Sequence, residues 1–153
     1  MTFGELYEEY ASVVYGYLMF KLRESSLAED VLQETFLAVH QSIHRLPEVV
    51  SPKAWILSIA HNKMVDALRK RTAVETVPVE TIPDGSYETA SNLVFAEAMT
   101  QLAETERTII YGLYAEGLTC SELGQILDIP EGTVKSKAHY ARKKLYQWLQ
   151  EGT

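Results

Sequence analysis

The sequence LTCSELGQILDIPEGTVKSKAHYARKKL, residues 118–145, decides the fold of the C-terminal part of this chain. Thr119-Cys120-Ser121-Glu122 has the spacing of a capping box, in which the first and fourth residues bond each other's backbone amides at a helix start. Gly117 is placed to cap the preceding helix, and Asp128-Ile129-Pro130 predicts a tight turn before a second helix from about Glu131. The segment therefore predicts a short helix, a turn and a longer helix.

The longer helix has an apolar side and a basic side. Its apolar residues recur at helical steps, which predicts one buried stripe of Val134, Ala138, Ala141, Leu145 and Trp148. The opposite side is small, polar and basic: Gly132, Ser136, His139, Tyr140 and Lys143, flanked by Lys135, Lys137 and Arg142. Such side chains on the second helix of this motif suit the major groove of DNA. Any two-helix corner can show the same apolar pattern, so the basic face and the caps are what favour DNA binding.

These residues resemble the helix-turn-helix with which extracytoplasmic-function (ECF) sigma factors bind the promoter −35 element. The family's usual form, I-P-x-G-T-V-K-S-R-x-x-x-A-R-x-x-L, matches here at Ile129, Pro130, Gly132 to Ser136, Ala141, Arg142 and Leu145. Lys137 stands where arginine is usual and Tyr140 where a basic residue is common, which bears on the bases contacted. The resemblance implies −35 contacts by Thr133, Lys135, Ser136, Lys137, His139, Tyr140, Arg142 and Lys143.

The net charge of −7 looks unfavourable for a protein that binds phosphates. The charges are unevenly spread, however. Residues 61–71 carry four Lys or Arg against one acid, and residues 131–147 carry five against one. The 59 residues between them, 72–130, carry ten acids and one arginine. A single basic helix is most simply a solvated face, but two basic segments, each on a helical pattern, favour a nucleic acid as partner.

The rest of the chain also follows the helical period, so the predicted fold class is all-α, with two small domains. A first helix is predicted from Phe3 to Leu22, and a second from a capping box at Ser26 to Leu46-Pro47. A third is predicted from the N-cap Ser51 into Arg69-Lys70-Arg71. The predicted domains are residues 1–71 and 92–153, joined by a flexible acidic linker at 72–91 that contains Pro78, Pro83 and Gly85.

Two N-terminal helices resemble the same family independently. AEDVLQETFLAVHQSI looks like the sigma helix that docks on the coiled coil of the polymerase β′ subunit, which implies polymerase contacts by Asp30, Gln33, Glu34 and Leu37. SPKAWILSIAHNKMVDALRKR resembles the family's −10 element helix. The resemblance implies that the preceding loop, Leu46 to Lys53, captures a base flipped from the melted non-template strand. It implies −10 contacts by Trp55, His61, Asn62, Lys63, Arg69, Lys70 and Arg71. The alternatives are a solvated face for the first helix and core packing for Trp55.

The resemblance implies a bacterial sigma factor that binds core RNA polymerase through the β′ coiled coil and the β flap, and that directs promoter recognition and melting. An anti-sigma factor is expected as a further partner. The linker acids Glu75, Glu80, Asp84 and Glu88 are expected either to enter a basic polymerase channel or to serve only as a soluble tether. The N-terminus has no basic start or apolar run, so the expected location is the cytoplasm, or the membrane surface through an anti-sigma factor.

The sequence offers no catalytic constellation, cofactor motif or small-molecule site, so the chain is not expected to be an enzyme. His40 and His44 lie four residues apart on a helix, but no further ligands accompany them, and no metal site is predicted. A redox role for the lone Cys120 is less favoured than a small structural side chain. Two alternatives are a stand-alone transcription regulator, which would bind DNA without polymerase, and an adaptor that binds only protein.

Overall fold

The computed structural model describes residues 1–74 and 96–151, except for the side chains of 72–74. All regular secondary structure in these two ranges is helical, which confirms the all-α class. The chain divides into two compact units, Met1–Ile82 and Pro83–Thr153. Most of the predicted linker, with its four acids, and the predicted resumption of helix near Asn92 lie outside the described residues. The domain boundaries at 71/72 and 91/92 therefore stay a prediction.

The N-terminal unit contains three packed helices: α1 (Phe3–Leu22), α2 (Ser25–Gln41) and α3 (Pro52–Val74), with a short 3-10 helix (Ile43–Glu48) between the last two. Each α-helix contacts the other two. The apolar sides of the three helices meet in a core that includes Leu6, Val14, Leu18, Val31, Val39, Ile56 and Leu57. The predicted bounds of α1 are confirmed, and Ser51 caps α3 as predicted, since its Oγ accepts from the Ala54 amide at 3.2 Å.

The predicted capping box at Ser26 is wrong. Arg23 takes the left-handed conformation with φ of 56° and ends α1 through a bond from its amide to the Met19 carbonyl. The chain then turns within two residues, so α2 begins at Ser25 and Ser26 lies inside its first turn. Glu24 is the N-cap residue, but its side chain makes no cap bond and instead forms an ion pair with Arg71 of α3.

Two other predicted helix ends also differ. The second helix ends at Gln41, and Pro47 lies within the 3-10 helix that follows. The third helix continues through Val74, three residues into the predicted linker, because no proline or glycine interrupts the chain before Pro78. Each residue added to an existing helix gains a backbone hydrogen bond without the cost of nucleation, which favours the extension of α3.

In the C-terminal unit, a helical turn at 96–99 precedes α4 (Glu104–Tyr114), α5 (Cys120–Leu127) and α6 (Glu131–Glu151). Both α4 and α5 pack on α6, around a core that includes Ile109, Ile110, Leu123, Ile126, Val134, Ala138 and Ala141. The predicted stripe on α6 is buried at its first three positions, but Leu145 and Trp148 are partly exposed. Helices of 11 and 8 residues are too short to cover the full length of a 21-residue helix.

Gly117 has the predicted left-handed conformation, with φ of 64°, but it is not the helix cap. The cap residue of α4 is Ala115, in right-handed conformation, and Gly117 lies two residues later. The positive φ turns the chain toward α5. The amide of the next residue, Leu118, donates to the Gly112 carbonyl at 2.9 Å. A residue with a Cβ would be strained at Gly117 even though open space surrounds it.

Candidate nucleic-acid interface

The capping box at the start of α5 is present as predicted. The Thr119 Oγ accepts from the Glu122 amide at 3.0 Å, and the Glu122 carboxylate accepts from the Thr119 amide at 3.0 Å. At the other end of α5, Asp128 takes the left-handed conformation with φ of 56°. The Pro130 carbonyl then accepts from the Thr133 and Val134 amides at 3.0 and 3.1 Å and begins α6. Each end of the turn is thus fixed by local bonds.

Gly124 makes this turn possible, although it is not among the residues predicted from the sequence to shape the motif. A Cβ added there would lie 2.8 Å from the Ile129 carbonyl oxygen and 3.5 Å from the Glu131 amide nitrogen. Both are backbone atoms on the far side of the turn, so no side chain can rotate away. The Gly124 carbonyl also accepts from the Ile129 amide at 3.0 Å. Its place four residues before Asp128 was the signal in the sequence, because a helical glycine beside a tight turn indicates close backbone approach.

The structure brings the predicted −35 contacts together on one side of α6. Six of them are exposed and two, Thr133 and Lys137, are partly exposed; the exposed ones are Lys135, Ser136, His139, Tyr140, Arg142 and Lys143. Val134, Ala138 and Ala141 are buried and hold the opposite side against α4 and α5. The result is a rigid helix that presents a basic surface.

Polar contacts hold three of the basic side chains of α6. Lys135 lies 3.7 Å from Glu131 one turn earlier, and both side chains are largely in solvent. The Arg142 guanidinium donates to the Tyr114 hydroxyl at 3.3 Å. The Lys144 ammonium donates to both carboxylate oxygens of Glu106, at 2.9 and 3.2 Å. Exposed ion pairs contribute little to stability, so Lys135 is readily available to a phosphate.

Glu106 is a buried acid that sequence analysis missed. Its residue exposure is 6%, and its carboxylate also accepts from the Ala103 amide at 3.1 Å at the start of α4. Burial alone would raise the pKa of Glu106, but the bonds from Lys144 and the Ala103 amide and the charges of Lys144 and Lys137 outweigh it, so its pKa is lowered. The spacing A-x-x-E, from Ala103 to Glu106, was a signal for the bond to the Ala103 amide. Lys144 is 38 residues away, and only the fold shows that contact.

The predicted −10 residues lie along α3. Trp55, Asn62 and Arg69 are seven residues apart and therefore share one side of the helix. Asn62, Arg69 and Lys70 are exposed, while Trp55, His61 and Lys63 are partly exposed. Leu46, Pro47 and Pro52, near the beginning of α3, line an apolar depression together with Met1 and Ile43.

Two of these residues already have partners within the chain. The His61 Nδ1 lies 2.8 Å from the Tyr17 hydroxyl of α1, and the ring of Tyr17 is buried. The Arg71 guanidinium pairs with Glu24, and about a third of each side chain is exposed, at 30% and 35%. Both contacts fix α3 to the other helices of the unit, and the Arg71 pair competes with any phosphate for that guanidinium.

The predicted polymerase contacts form one exposed side of α2: Asp30, Gln33, Glu34 and Leu37. Leu37 is 60% exposed and is the apolar member of this otherwise polar set. The Phe36 ring of the same helix packs edge to face on Phe3 and on Tyr7, and His40 packs on Phe3 with ring centroids 5.0 Å apart. Among the described residues no group of three or more His, Cys, Asp or Glu could hold a metal ion.

Two family models match the chain and define its class. Sigma-70 region 2 matches residues 6–74, and Sigma-70, region 4 matches residues 98–147. The chain is 32% identical over 155 residues to the ECF RNA polymerase sigma factor SigL of Mycobacterium tuberculosis, covering 95% of this chain and 88% of SigL. It is 31% identical over 156 residues to the ECF sigma factor RpoE of Cereibacter sphaeroides, covering 97% and 86%.

The chain belongs to the ECF RNA polymerase sigma factors, and the resemblance inferred from its motifs is confirmed. It is therefore a transcription initiation factor that binds core RNA polymerase and promoter DNA. The fold is also that of the Bartonella quintana sigma factor RpoE, solved with the anti-sigma factor NepR, at a TM-score of 0.75, 22% identity and coverage of 97% and 96%. CnrH, solved with the cytosolic domain of CnrY, matches at a TM-score of 0.65, 22% identity and coverage of 99% and 89%.

Across the two described ranges, no helix is both long enough and apolar enough to cross a membrane.

Proposed function

We propose that the exposed basic side of α6 binds the promoter −35 element, and that this surface carries the specificity of the C-terminal unit. The single observation that supports the proposal most is the placement of Lys135, Arg142 and Lys143 in solvent on a helix fixed by a capped turn. Lys and Arg supply phosphate contacts and the bidentate contact to guanine, while Ser136 and Thr133 add short hydrogen-bonding groups. The remaining predicted contacts, Lys137, His139 and Tyr140, complete the surface.

We propose that α3 binds the −10 element. Asn62 is exposed and carries both a donor and an acceptor for a base edge, and the exposed Arg69 and Lys70 supply phosphate contacts. A base taken out of the stack needs stacking and polar contacts in return. The partly exposed Trp55 and Lys63 share this helix. His61 and Arg71 also belong to the proposed set, with Tyr17 and Glu24 as their partners inside the chain.

We propose that the exposed side of α2 binds the β′ coiled coil, since Leu37 offers an apolar anchor within a polar rim of Asp30, Gln33 and Glu34. The C-terminal unit would bind the β flap, and residues 72–91 would link the two domains. We also propose an anti-sigma partner, because two proteins of this fold were solved in complexes: RpoE with the anti-sigma factor NepR, and CnrH with the cytosolic domain of CnrY. The chain would act in the cytoplasm as a specificity factor without catalytic chemistry of its own.

Run-off transcription with purified core polymerase, on templates selected from a library of randomised duplexes, tests this function. Lys135→Ala and Arg142→Ala should weaken promoter binding about tenfold or more and leave core binding intact. Asp30→Ala and Gln33→Ala should do the reverse, so each pair serves as the control for the other. The proposal would be contradicted if the protein stimulated transcription on none of the templates and did not bind core polymerase. Tight binding to selected DNA without polymerase would favour a stand-alone regulator.

A further inference from the structure

The last residue of α4, Tyr114, contacts a residue of the proposed DNA-binding surface. Its hydroxyl accepts from the Arg142 Nη1 at 3.3 Å, across 28 residues of sequence. The Tyr114 side chain is 64% exposed, so its ring adds little to the core of the C-terminal unit. Within residues 1–74 and 96–151, the bond from Arg142 is the one polar contact of the Tyr114 side chain.

Tyr114 is held in place by the packing of α4. Ile109 and Ile110 are buried in the unit, and Gly112 lies so close to Leu123 that a Cβ there would come within 2.5 Å of its Cδ2. The Tyr111 hydroxyl donates to Glu116 at 2.9 Å and ties the end of the helix to the following loop. Since α4 also packs on α6, the backbone that carries Tyr114 is fixed relative to α6.

A second polar contact fixes α4 against the opposite flank of α6. Lys144 and Arg142 are two residues apart, so their side chains leave α6 about 200° apart. Glu106, near the start of α4, bonds Lys144, whereas Tyr114, at its end, bonds Arg142. The two contacts lie on either side of the buried stripe and resist rotation of α6 about its own axis.

We propose that Tyr114 is a positioning residue that orients the Arg142 guanidinium for promoter DNA. The inference rests on the proposed −35 role of α6. A free arginine side chain loses rotamer freedom when it binds a phosphate or a base, and a bond that already holds the guanidinium reduces that loss. A guanidinium has five N–H donors, so the one bonded to Tyr114 leaves others for DNA. Tyr114→Phe removes only the hydroxyl and keeps the ring.

The test is a double-mutant cycle on the full chain in complex with core polymerase, with the selected promoter duplex as probe. Tyr114→Phe should weaken promoter binding about threefold to tenfold, the usual range for ordering one long side chain on binding. In an Arg142→Ala background the same change should have no effect. The salt dependence should stay unchanged in Tyr114→Phe, because Arg142 keeps its charge, and its slope should fall by about one in Arg142→Ala.

Tyr15→Phe is the matched control, since Tyr15 lies on α1 of the N-terminal unit, outside all three proposed contact sets. The affinity of the Tyr15→Phe complex for the duplex should match that of the wild type. Equal or tighter binding by Tyr114→Phe would overturn the inference alone, as would an equal loss in the Arg142→Ala background. A loss of core binding instead would assign Tyr114 to a protein interface and also overturn it. If the wild-type complex selects no duplex, the proposed function fails and this inference with it.

Discussion

At the scale of single residues, two glycines of the C-terminal unit have opposite surroundings. Gly124 faces the backbone of the turn at 2.8 Å, whereas a Cβ at Gly132, in the first turn of α6, would meet nothing within 4 Å. Glycine in a helix generally costs stability relative to alanine because the unfolded chain has more freedom. Replacing glycine with alanine should therefore lower the free energy of unfolding at Gly124 but not at Gly132.

Gly124→Ala should lower the free energy of unfolding by about 1–3 kcal/mol, because the Ile129 carbonyl must shift and the turn must open. Gly132→Ala should leave it unchanged or raise it by up to about 1 kcal/mol. Urea denaturation of both variants measures the difference. A Gly124→Ala chain as stable as the wild type would show that the turn yields without cost. Gly132→Ala should nevertheless reduce promoter binding, since the added methyl group lies on the proposed DNA-binding side.

The sequence predicted the basic surface of α6 well and the residues that support it poorly. The surface follows from the helical period, because Val134, Ala138 and Ala141 determine which side is buried and hence which side carries Lys135 and Arg142. Glu106 has no such local pattern. An acid among polar neighbours predicts an exposed side chain, and the contact that buries it comes from a helix 38 residues away. Long-range partners of this kind depend on the packing of whole helices.

Among the helices, the caps predicted at the starts of α3 and α5 are present, whereas the cap predicted at the start of α2 is not. Ser51 and Thr119 cap their helices as their spacing predicts. Ser26 has the same spacing and caps nothing, because the left-handed Arg23 ends α1 close enough for α2 to begin at Ser25. A capping box is thus a local possibility, and the path of the preceding chain decides whether it is used.

Thr119→Ala removes the hydroxyl that accepts from the Glu122 amide and should destabilise the C-terminal unit by about 1 kcal/mol. Thr119→Ser keeps the acceptor and should remain within a few tenths of a kcal/mol of the wild type. Chemical denaturation followed by circular dichroism compares the two. Equal losses in both variants would mean that the methyl group, and not the hydrogen bond, stabilises the start of α5.

The pair of Glu106 and Lys144 should make the stability of the C-terminal unit depend on pH. The pKa of Glu106 in the folded chain is lowered from 4.5, so its stabilising effect is fully present above that pH and is lost as the pH falls through the lower folded value. Glu106→Gln should cost about 1–3 kcal/mol at pH 7, since Lys144 and the Ala103 amide lose a charged partner. The difference in the free energy of unfolding between wild type and Glu106→Gln should decrease as the pH falls below about 4.5.

Denaturation at pH 7 and at a series of lower pH values measures this effect. Glu97→Gln is a suitable control, because Glu97 is an exposed acid of the same unit. Its stability should follow the wild type at every pH. If the difference between wild type and Glu106→Gln stayed constant on acidification, the effect would come from packing and not from the charge.

Over the full chain, the net charge and the distribution of basic residues disfavour tight DNA binding by the protein without polymerase. The net charge is −7, and the two basic segments lie on different helices, residues 61–71 on α3 and residues 131–147 on α6. Each segment offers only a few phosphate contacts, and three of the basic residues of these helices, Arg71, Lys135 and Lys144, are paired with acids. Two weak sites gain affinity when a scaffold lets both bind at once, because the second event becomes intramolecular.

The complex with core polymerase should therefore bind a selected promoter duplex at least about 100-fold more tightly than the free chain does. Fluorescence anisotropy with labelled duplex gives both dissociation constants, and core polymerase alone on the same duplex corrects for binding without sequence preference. Asp30→Ala should raise the apparent dissociation constant at low polymerase concentration but not at saturation, because it weakens assembly and leaves the DNA surfaces unchanged. A free chain that binds as tightly as the complex would contradict this, since α6 would then suffice as an independent DNA-binding element.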